Sequence, residues 1–390
     1  MEPMSRFFPL ACVVCVGCGF HLSLGSSDAG GGGDDAPPRG DGAIDTAVPW
    51  LDGWMYRRAI TLHATQIEAP GNTALTALPV MLSLDDADLA RARPDRSDLA
   101  FTADDATTRL AHDLETFDST TLTVWVRIPT LSATTDTTIY LYYGNAAPPA
   151  TTPEMVWSES FLAVYHLHQD PGPGQAGQIR DATANAHHAT AESSFSAGDS
   201  MSSPLGRAID FNGSNSCITV PTVDVGNQFT ISAWMNLNAV SQIRSIVSNS
   251  QDGSNTDGFR FFVNSNGSSD RKVWLETGNG GQTNSVTTIA NAITTQQWEH
   301  VAVLVDRTNG AATVMVDGAI ATTDNTIRND FSTASSLEIG RMKTNNVFDG
   351  MLDEVVIAST LRSVEWIQTA YKNQRAPMDF YTVAPEQAHP

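Results

Sequence analysis

Six dipeptides of one kind, Asn212-Gly213, Asp252-Gly253, Asn266-Gly267, Asn309-Gly310, Asp317-Gly318 and Asp349-Gly350, punctuate the C-terminal half of the chain. Each accepts left-handed backbone angles, which suits tight hairpin turns and interrupts helices. The runs between them are short and alternate with period two, so strands must follow one another quickly. An all-β fold is the expectation. Val314 to Ala321 reads as a tight hairpin around Asp317-Gly318. Trp298 to Val305 alternates with both faces largely apolar, the pattern of a central strand covered on both sides.

An earlier segment has the same character. Trp54 to Leu62, Leu78 to Leu82, Leu99 to Thr102, Leu122 to Pro129 and Thr138 to Asn145 are strand-like, and Leu122, Val124, Val126 and Ile128 fall on one side of their run. Residues 50–150 are therefore expected to form a small β-sandwich. The Pro-rich join from Pro148 to Pro153 separates it from a second domain over 156–385, whose first strand is Ala163 to Leu167. At 390 residues the chain is long enough for two full cores.

The N-terminus reads as an export signal over 1–18, with Arg6 before an apolar run from Phe7 to Val16 that is too short to span a bilayer. Cys15-Val16-Gly17-Cys18 resembles the bacterial lipobox, departing from it at Cys15 where that motif usually has Leu. The resemblance implies lipid attachment at Cys18, with an ordinary secretory signal as the alternative. No other segment could anchor the chain. Residues 19–49, rich in Gly, Asp and Pro, bury too little to offset ordering entropy, and such a tether reaches roughly 30 Å.

Acidic residues number 43 against 22 basic ones, a formal net charge of -21. Such a surface repels phosphate backbones and anionic headgroups, so nucleic acid is excluded as a partner and a membrane is reached only through a lipid anchor. Cys12, Cys15 and Cys18 all lie in the signal. The folded part then holds only Cys217, with no disulfide and no Cys-x-x-Cys pair for zinc.

Two ordered motif series carry resemblances. The first, from Trp54-Met55-Tyr56-Arg57-Arg58 to Ile139-Tyr140-Leu141-Tyr142-Tyr143-Gly144-Asn145, resembles the bacterial domain of unknown function 2341, which implies no chemistry. The second runs through Ala208-Ile209-Asp210-Phe211-Asn212-Gly213, Phe229-Thr230-Ile231-Ser232-Ala233-Trp234, Trp298-Glu299-His300-Val301, Leu337-Glu338-Ile339-Gly340 and Phe348-Asp349-Gly350-Met351-Leu352-Asp353-Glu354-Val355. It resembles laminin-G-like, concanavalin A-like jelly rolls, and so implies an antiparallel sandwich that binds carbohydrate or protein surfaces. The Asp181 to Ala189 loop has Ala184, Ala186 and Ala189 where those domains usually have glycine, so positions needing positive φ would be strained. Arg362 to Trp366, on to Asn373, resembles the short closing segment of such domains, one helical turn or more.

No catalytic residues are assigned. A glycanase on this architecture needs two carboxylates converging on one bond, roughly 5 to 10 Å apart, and on a strand these sit at i and i+2 or i+4. The best acidic pair, Asp353-Glu354, is adjacent and so should face opposite sides; Asp85-Asp86 and Asp104-Asp105 fall in loops. His166 and His168, or His187-His188, could ligate a metal, but no spaced third ligand supports zinc. There is no G-x-S-x-G elbow, Walker loop or dinucleotide fingerprint.

By resemblance, a structural calcium ion would be held by Asp181, Asn185 and Asp353. The alternative is that Asp181 caps a turn and Asp353 pairs with an arginine. Tyr140, Tyr142, Tyr143 and Trp125 could stack on sugar, as could Trp274, Phe261 and Phe262, with core packing as the ordinary role. Loop residues such as Arg244, Asn279, Gln282 and Asn346 could serve many ligands. The expected function is an exported, cell-surface binding protein without catalysis; the alternatives are a divergent glycan hydrolase or a passive envelope component.

Overall fold

The computed structural model describes residues 48–390 apart from 119, 173, 239, 251–255 and 343–345. The signal segment with Cys18, the linker up to residue 47, and Asp252-Gly253 lie outside the described residues. Among the described residues, no helix is long and apolar enough to cross a membrane.

Two antiparallel sheets form the first sandwich. One runs in the order Tyr381–Val383, Tyr56–Leu62, Thr137–Tyr143, Ala100–Thr102, Arg109–Leu110; the other in the order Ala74–Asp85, Thr121–Ser132, His112–Asp118. Leu122, Val124, Val126 and Ile128 enter its core against Ile60, Leu62, Ile139 and Leu141, as their alternation requires. Trp125, one step out of phase, leaves that core on the opposite face. Tyr142 and Tyr143 are fully buried and Trp125 nearly so, which makes all three packing residues rather than an open sugar platform.

Residues from Phe161 onward build the jelly roll from two larger sheets. The seven-stranded one has the order Thr283–Thr287, Val273–Asn279, Asp257–Val263, Arg244–Ser248, Ala334–Ile339, Ile218–Asp224, Thr190–Ala191. In the eight-stranded one, the strand Asp349–Ala358 pairs along one side with Gln228–Leu237. Along its other side it pairs first with Gly206–Asn212 and then with Phe161–Tyr165. Trp298–Asp306 lies between Gln228–Leu237 and Ala311–Val316. Its Val301, Val303 and Val305 enter the core, while Ala302 and Leu304 pack under Ile367 of the helix Val364–Arg375, so both faces are covered as expected.

The expected hairpin is present. Asp317 (φ 48°) and Gly318 (φ 72°) occupy its two turn positions, with Val316 opposite Ala319. Asp349-Gly350 is not a turn but begins the central strand, where a Cβ on Gly350 would lie 2.1 Å from the Asn236 carbonyl oxygen. Of the loop alanines, Ala186 takes a positive φ of 53°.

The C-terminal segment begins with the helix allowed for in its closing role and then continues past it. Ser363 caps a twelve-residue helix, Val364–Arg375, by accepting from Trp366 N. The chain then returns to the first sandwich, where Tyr381–Val383 and Gln387–Ala388 pair antiparallel with Tyr56–Leu62. Phe380 and Tyr381 are part of that sandwich's core. The first sandwich is thus completed from residues beyond the jelly roll, an arrangement that local patterning over 50–150 does not contain.

Candidate functional site

The two sandwiches meet through an apolar seam of Met81 and Trp125 from the first and Phe161, Val164, Leu205 and Trp234 from the second, with Val156 and Trp157 of the short helix Pro153–Trp157 between them. Trp125 and Trp157 pack edge-on with ring centres 5.4 Å apart, and His166 lies 5.9 Å from Trp125 and 5.3 Å from Trp157. Within this seam sits a group of buried ionisable side chains.

Two β-bulges, one from each sandwich, create that group. In the strand His112–Asp118, Leu114 pairs with Val124 and Thr116 with Thr123, so Glu115 is an inserted residue. In the central strand, Asp353 pairs with Trp234 and Val356 with Ser232, so Glu354 and Val355 together oppose Ala233. An inserted residue re-aims the side chains around it. Leu352 and Val355 still enter the jelly-roll core, while Asp353 and Glu354 both carry carboxylates into the seam. The expectation that these adjacent acids face opposite sides is therefore corrected: the period-two rule fails at the bulge. Glu354 adopts φ 48° there, an uncommon angle for a side-chain-bearing residue that costs of order 1–3 kcal/mol.

His166 is the hub. Its Nδ1 lies 2.7 Å from Glu354 Oε1 and its Nε2 lies 3.4 Å from Asp113 Oδ2. Trp157 Nε1 donates to the same Asp113 oxygen at 2.8 Å, and Trp125 Nε1 donates to Glu115 Oε2 at 2.7 Å. Asp353 accepts from the Ser203 hydroxyl and, at 2.9 Å, from Glu354 N. Glu115 Oε1 and Glu354 Oε2 are buried without a hydrogen-bond partner. Gly206 lets the turn after Ser203 approach Glu115, since a Cβ there would lie 2.7 Å from Glu115 Oε1.

Charge is unbalanced at this point, with Asp113, Glu115, Asp353 and Glu354 set against one imidazole. Burial pushes Glu115 and Asp353 well above the usual carboxylate range, and the neighbouring Glu354 charge adds to it in both. Burial alone would lower His166. The Glu354 charge and the bonds to Asp113 and Glu354 outweigh it and hold the imidazole well above its ordinary value. Burial would raise Asp113, but its bond to His166 and the charge there leave it lowered.

Solvent reaches one edge of this group through a cleft of ≈ 600 Å³, lined by Asp113 and Leu114 of the first sandwich and by His166, His168, Arg180 and His188 of the second. His168 stacks on His166 at 5.9 Å with rings 6° from parallel, and burial pushes it down to about 4.

Asp181 also borders the cleft. Its carboxylate accepts from Val164 N at 3.0 Å, Thr183 N at 2.9 Å, Thr183 Oγ1 at 2.9 Å and His187 N at 2.9 Å, which ties the loop to the first jelly-roll strand. Asn185 donates to the carbonyls of Phe161 and Leu162. Asp353 is bonded elsewhere, to Ser203, and not to an arginine. Among the described residues, the His, Cys, Asp and Glu side chains whose ligand atoms converge are Glu115, His166 and Glu354. Sequence reasoning named His166 and missed Glu115, one of three acids in the strand His112–Asp118, whose residues carry no mark of the bulge.

Phe261 is buried in the core; Phe262 stacks on Trp274 at 5.8 Å, outside that core. Arg244 is buried and donates to the Val347 carbonyl, whereas Asn279 and Gln282 are exposed. Cys217 is buried, and burial pushes its thiol up.

Comparison with known families finds the model described as the concanavalin A-like lectin/glucanases superfamily over residues 212–368 and domain of unknown function 2341 over residues 95–158. The order expected from the motifs, a 2341-like region followed by a laminin-G-like, concanavalin A-like jelly roll, is the order found. No curated protein matches the chain. Among solved structures, domain 4 of AbnA, a GH43 extracellular arabinanase from Geobacillus stearothermophilus in complex with arabinotriose, is 20% identical with a TM-score of 0.42, over 54% of this chain and 98% of that one. The botulinum neurotoxin type G receptor-binding domain is 15% identical with a TM-score of 0.40, over 56% and 52%.

Proposed function

We propose that this chain is an exported, lipid-anchored binding protein that takes a carbohydrate chain into the cleft between its two sandwiches without cleaving it. The observation that carries this reading is how the carboxylates at the cleft are used. Asp113 is held by Trp157 and His166, and Asp181 by four donors of its own loop and the neighbouring strand. Groups committed in this way orient neighbours and accept hydrogen bonds; they are not poised to attack a glycosidic carbon. Asp353 and Glu354 are shut into the seam, at 0% and 2% exposure. Arg180, His168 and His188 add donors and acceptors suited to sugar hydroxyls. The superfamily description covers lectins as well as glucanases, and this arrangement supports the former.

The test is a glycan array followed by calorimetry on the sugars retained. His168→Ala and Arg180→Ala are each expected to weaken binding about tenfold, the loss of one or two hydrogen bonds at ~1 kcal/mol apiece. Release of reducing ends from the same sugars by purified protein overturns the non-catalytic reading. Anchoring is read separately: Cys18→Ala should move the protein from the membrane fraction to the soluble one.

A further inference from the structure

We infer that Glu115, His166 and Glu354 form a divalent transition-metal site that clamps the two sandwiches together, buried behind the cleft that His166 also lines. One ligand atom from each lies within 4.8 Å of the others. Two atoms bound to the same ion at about 2.0–2.2 Å are at most about 4.4 Å apart, so small side-chain rotations close the set.

One observation independent of this convergence points to a ligand, and the setting of His166 agrees with it. Glu115 Oε1 and Glu354 Oε2 are buried in residues 7% and 2% exposed, and neither has a partner. An unpaired carboxylate oxygen in such surroundings is costly unless a cation or a proton satisfies it. Next, His166 presents Nδ1 to Glu354 and Nε2 to Asp113. With Nδ1 on an ion, Nε2–H is left to donate to Asp113, the carboxylate–imidazole–metal relay that orients ligating histidines. Trp157 holds Asp113 for that role, and Trp125 holds the other oxygen of Glu115.

The donor set decides the class of ion. One imidazole with two carboxylates suits zinc or manganese better than calcium, which prefers six or more oxygens. Glu115, His166 and Glu354 are only 7%, 4% and 2% exposed, which suits a structural site better than one that turns over substrate. Because Glu115 belongs to one sandwich and His166 and Glu354 to the other, binding would couple directly to their docking.

The experiment is elemental analysis of the full chain refolded with zinc and dialysed, together with the visible spectrum of its cobalt form. About one equivalent is expected, with a cobalt spectrum of low coordination number. Glu115→Gln and Glu354→Gln should abolish retention, Asp113→Asn should weaken it about 10- to 100-fold, and Asp181→Asn should leave it unchanged. The cobalt spectrum of the wild-type chain reads the site even if the variants fold poorly. Less than about a tenth of an equivalent, with a melting temperature indifferent to zinc and to chelator, overturns the proposal and assigns the unpaired oxygens to protons. Sugar binding that persists in chelator leaves the proposed function standing whichever way the metal result falls.

Discussion

The side-chain amide of Asn373 closes a two-bond ring with the backbone of Met81: Met81 N donates to Asn373 Oδ1 at 2.7 Å, and Asn373 Nδ2 donates to the Met81 carbonyl at 2.9 Å. Two residues further on, the Tyr381 hydroxyl accepts from Ser83 N at 2.9 Å and donates to its carbonyl at 2.6 Å. The strand Ala74–Asp85 has a strand partner on one side only, so these side chains stand where a neighbouring strand would be and cover an open edge.

Replacing Asn373 by Leu should therefore cost more than its volume suggests. Both Met81 groups are buried, and leaving them unpaired is expected to cost about 1–3 kcal/mol for each group lost. Denaturant unfolding measures the loss, and amide exchange at Met81 should accelerate with it.

Trp125→Ala tests the seam. The indole is 1% exposed, packs on Trp157 and His166 and holds Glu115 through Nε1, so the change opens a cavity and frees a carboxylate. A loss of about 3–5 kcal/mol is expected. Splitting of a single unfolding transition into two would show that the sandwiches have uncoupled.

Stability in chelator should fall as pH rises above 6.5. Glu115 and Asp353 keep protons in the folded chain that the unfolded chain releases near pH 4, because burial raises them, so each loses stabilising effect as pH rises toward its folded value. His166 acts in the same direction, its contribution being complete below the unfolded value of 6.5 and lost as pH passes the raised folded value. Buried His112, His168 and His300, each pushed down to about 4, oppose this only between pH 4 and 6.5. Glu115→Gln should flatten the decline, as followed by melting temperature at pH 6.5, 7.5 and 8.5.

Asp181→Asn should loosen the loop from 181 to 189. The amide offers one acceptor oxygen where the carboxylate serves four donors, and a cost of about 1–3 kcal/mol follows from the groups left unpaired. We expect the same loss in calcium and in chelator. A calcium ion held by Asp181, Asn185 and Asp353 would instead add a part that appears only with calcium.

The fold was legible where the pattern is local. The Asp317-Gly318 turn and the alternation of Leu122 to Ile128 each state their geometry within a few residues, and the structure follows both. The convergence of Glu115 with Glu354 was not legible, because each depends on a register slip that leaves no mark in composition, and the pair is then assembled by packing between distant segments. His166 could be singled out as a ligand type, but its partners could not. The return of Tyr381 to the first sandwich escaped for the same reason: a three-residue strand carries too little pattern to announce whose edge it joins.

That return also governs the order of assembly. The opening strand Tyr56–Leu62 finds one of its two neighbours in residues 137–143 and the other only in residues 381–388. A ribosome or a secretion channel delivering the chain from its N-terminus must therefore release the whole jelly roll before the first sandwich can be sealed. Until then that strand offers a bare flank to any extended peptide nearby, so a nascent copy would be most prone to mispairing during its last moments of emergence.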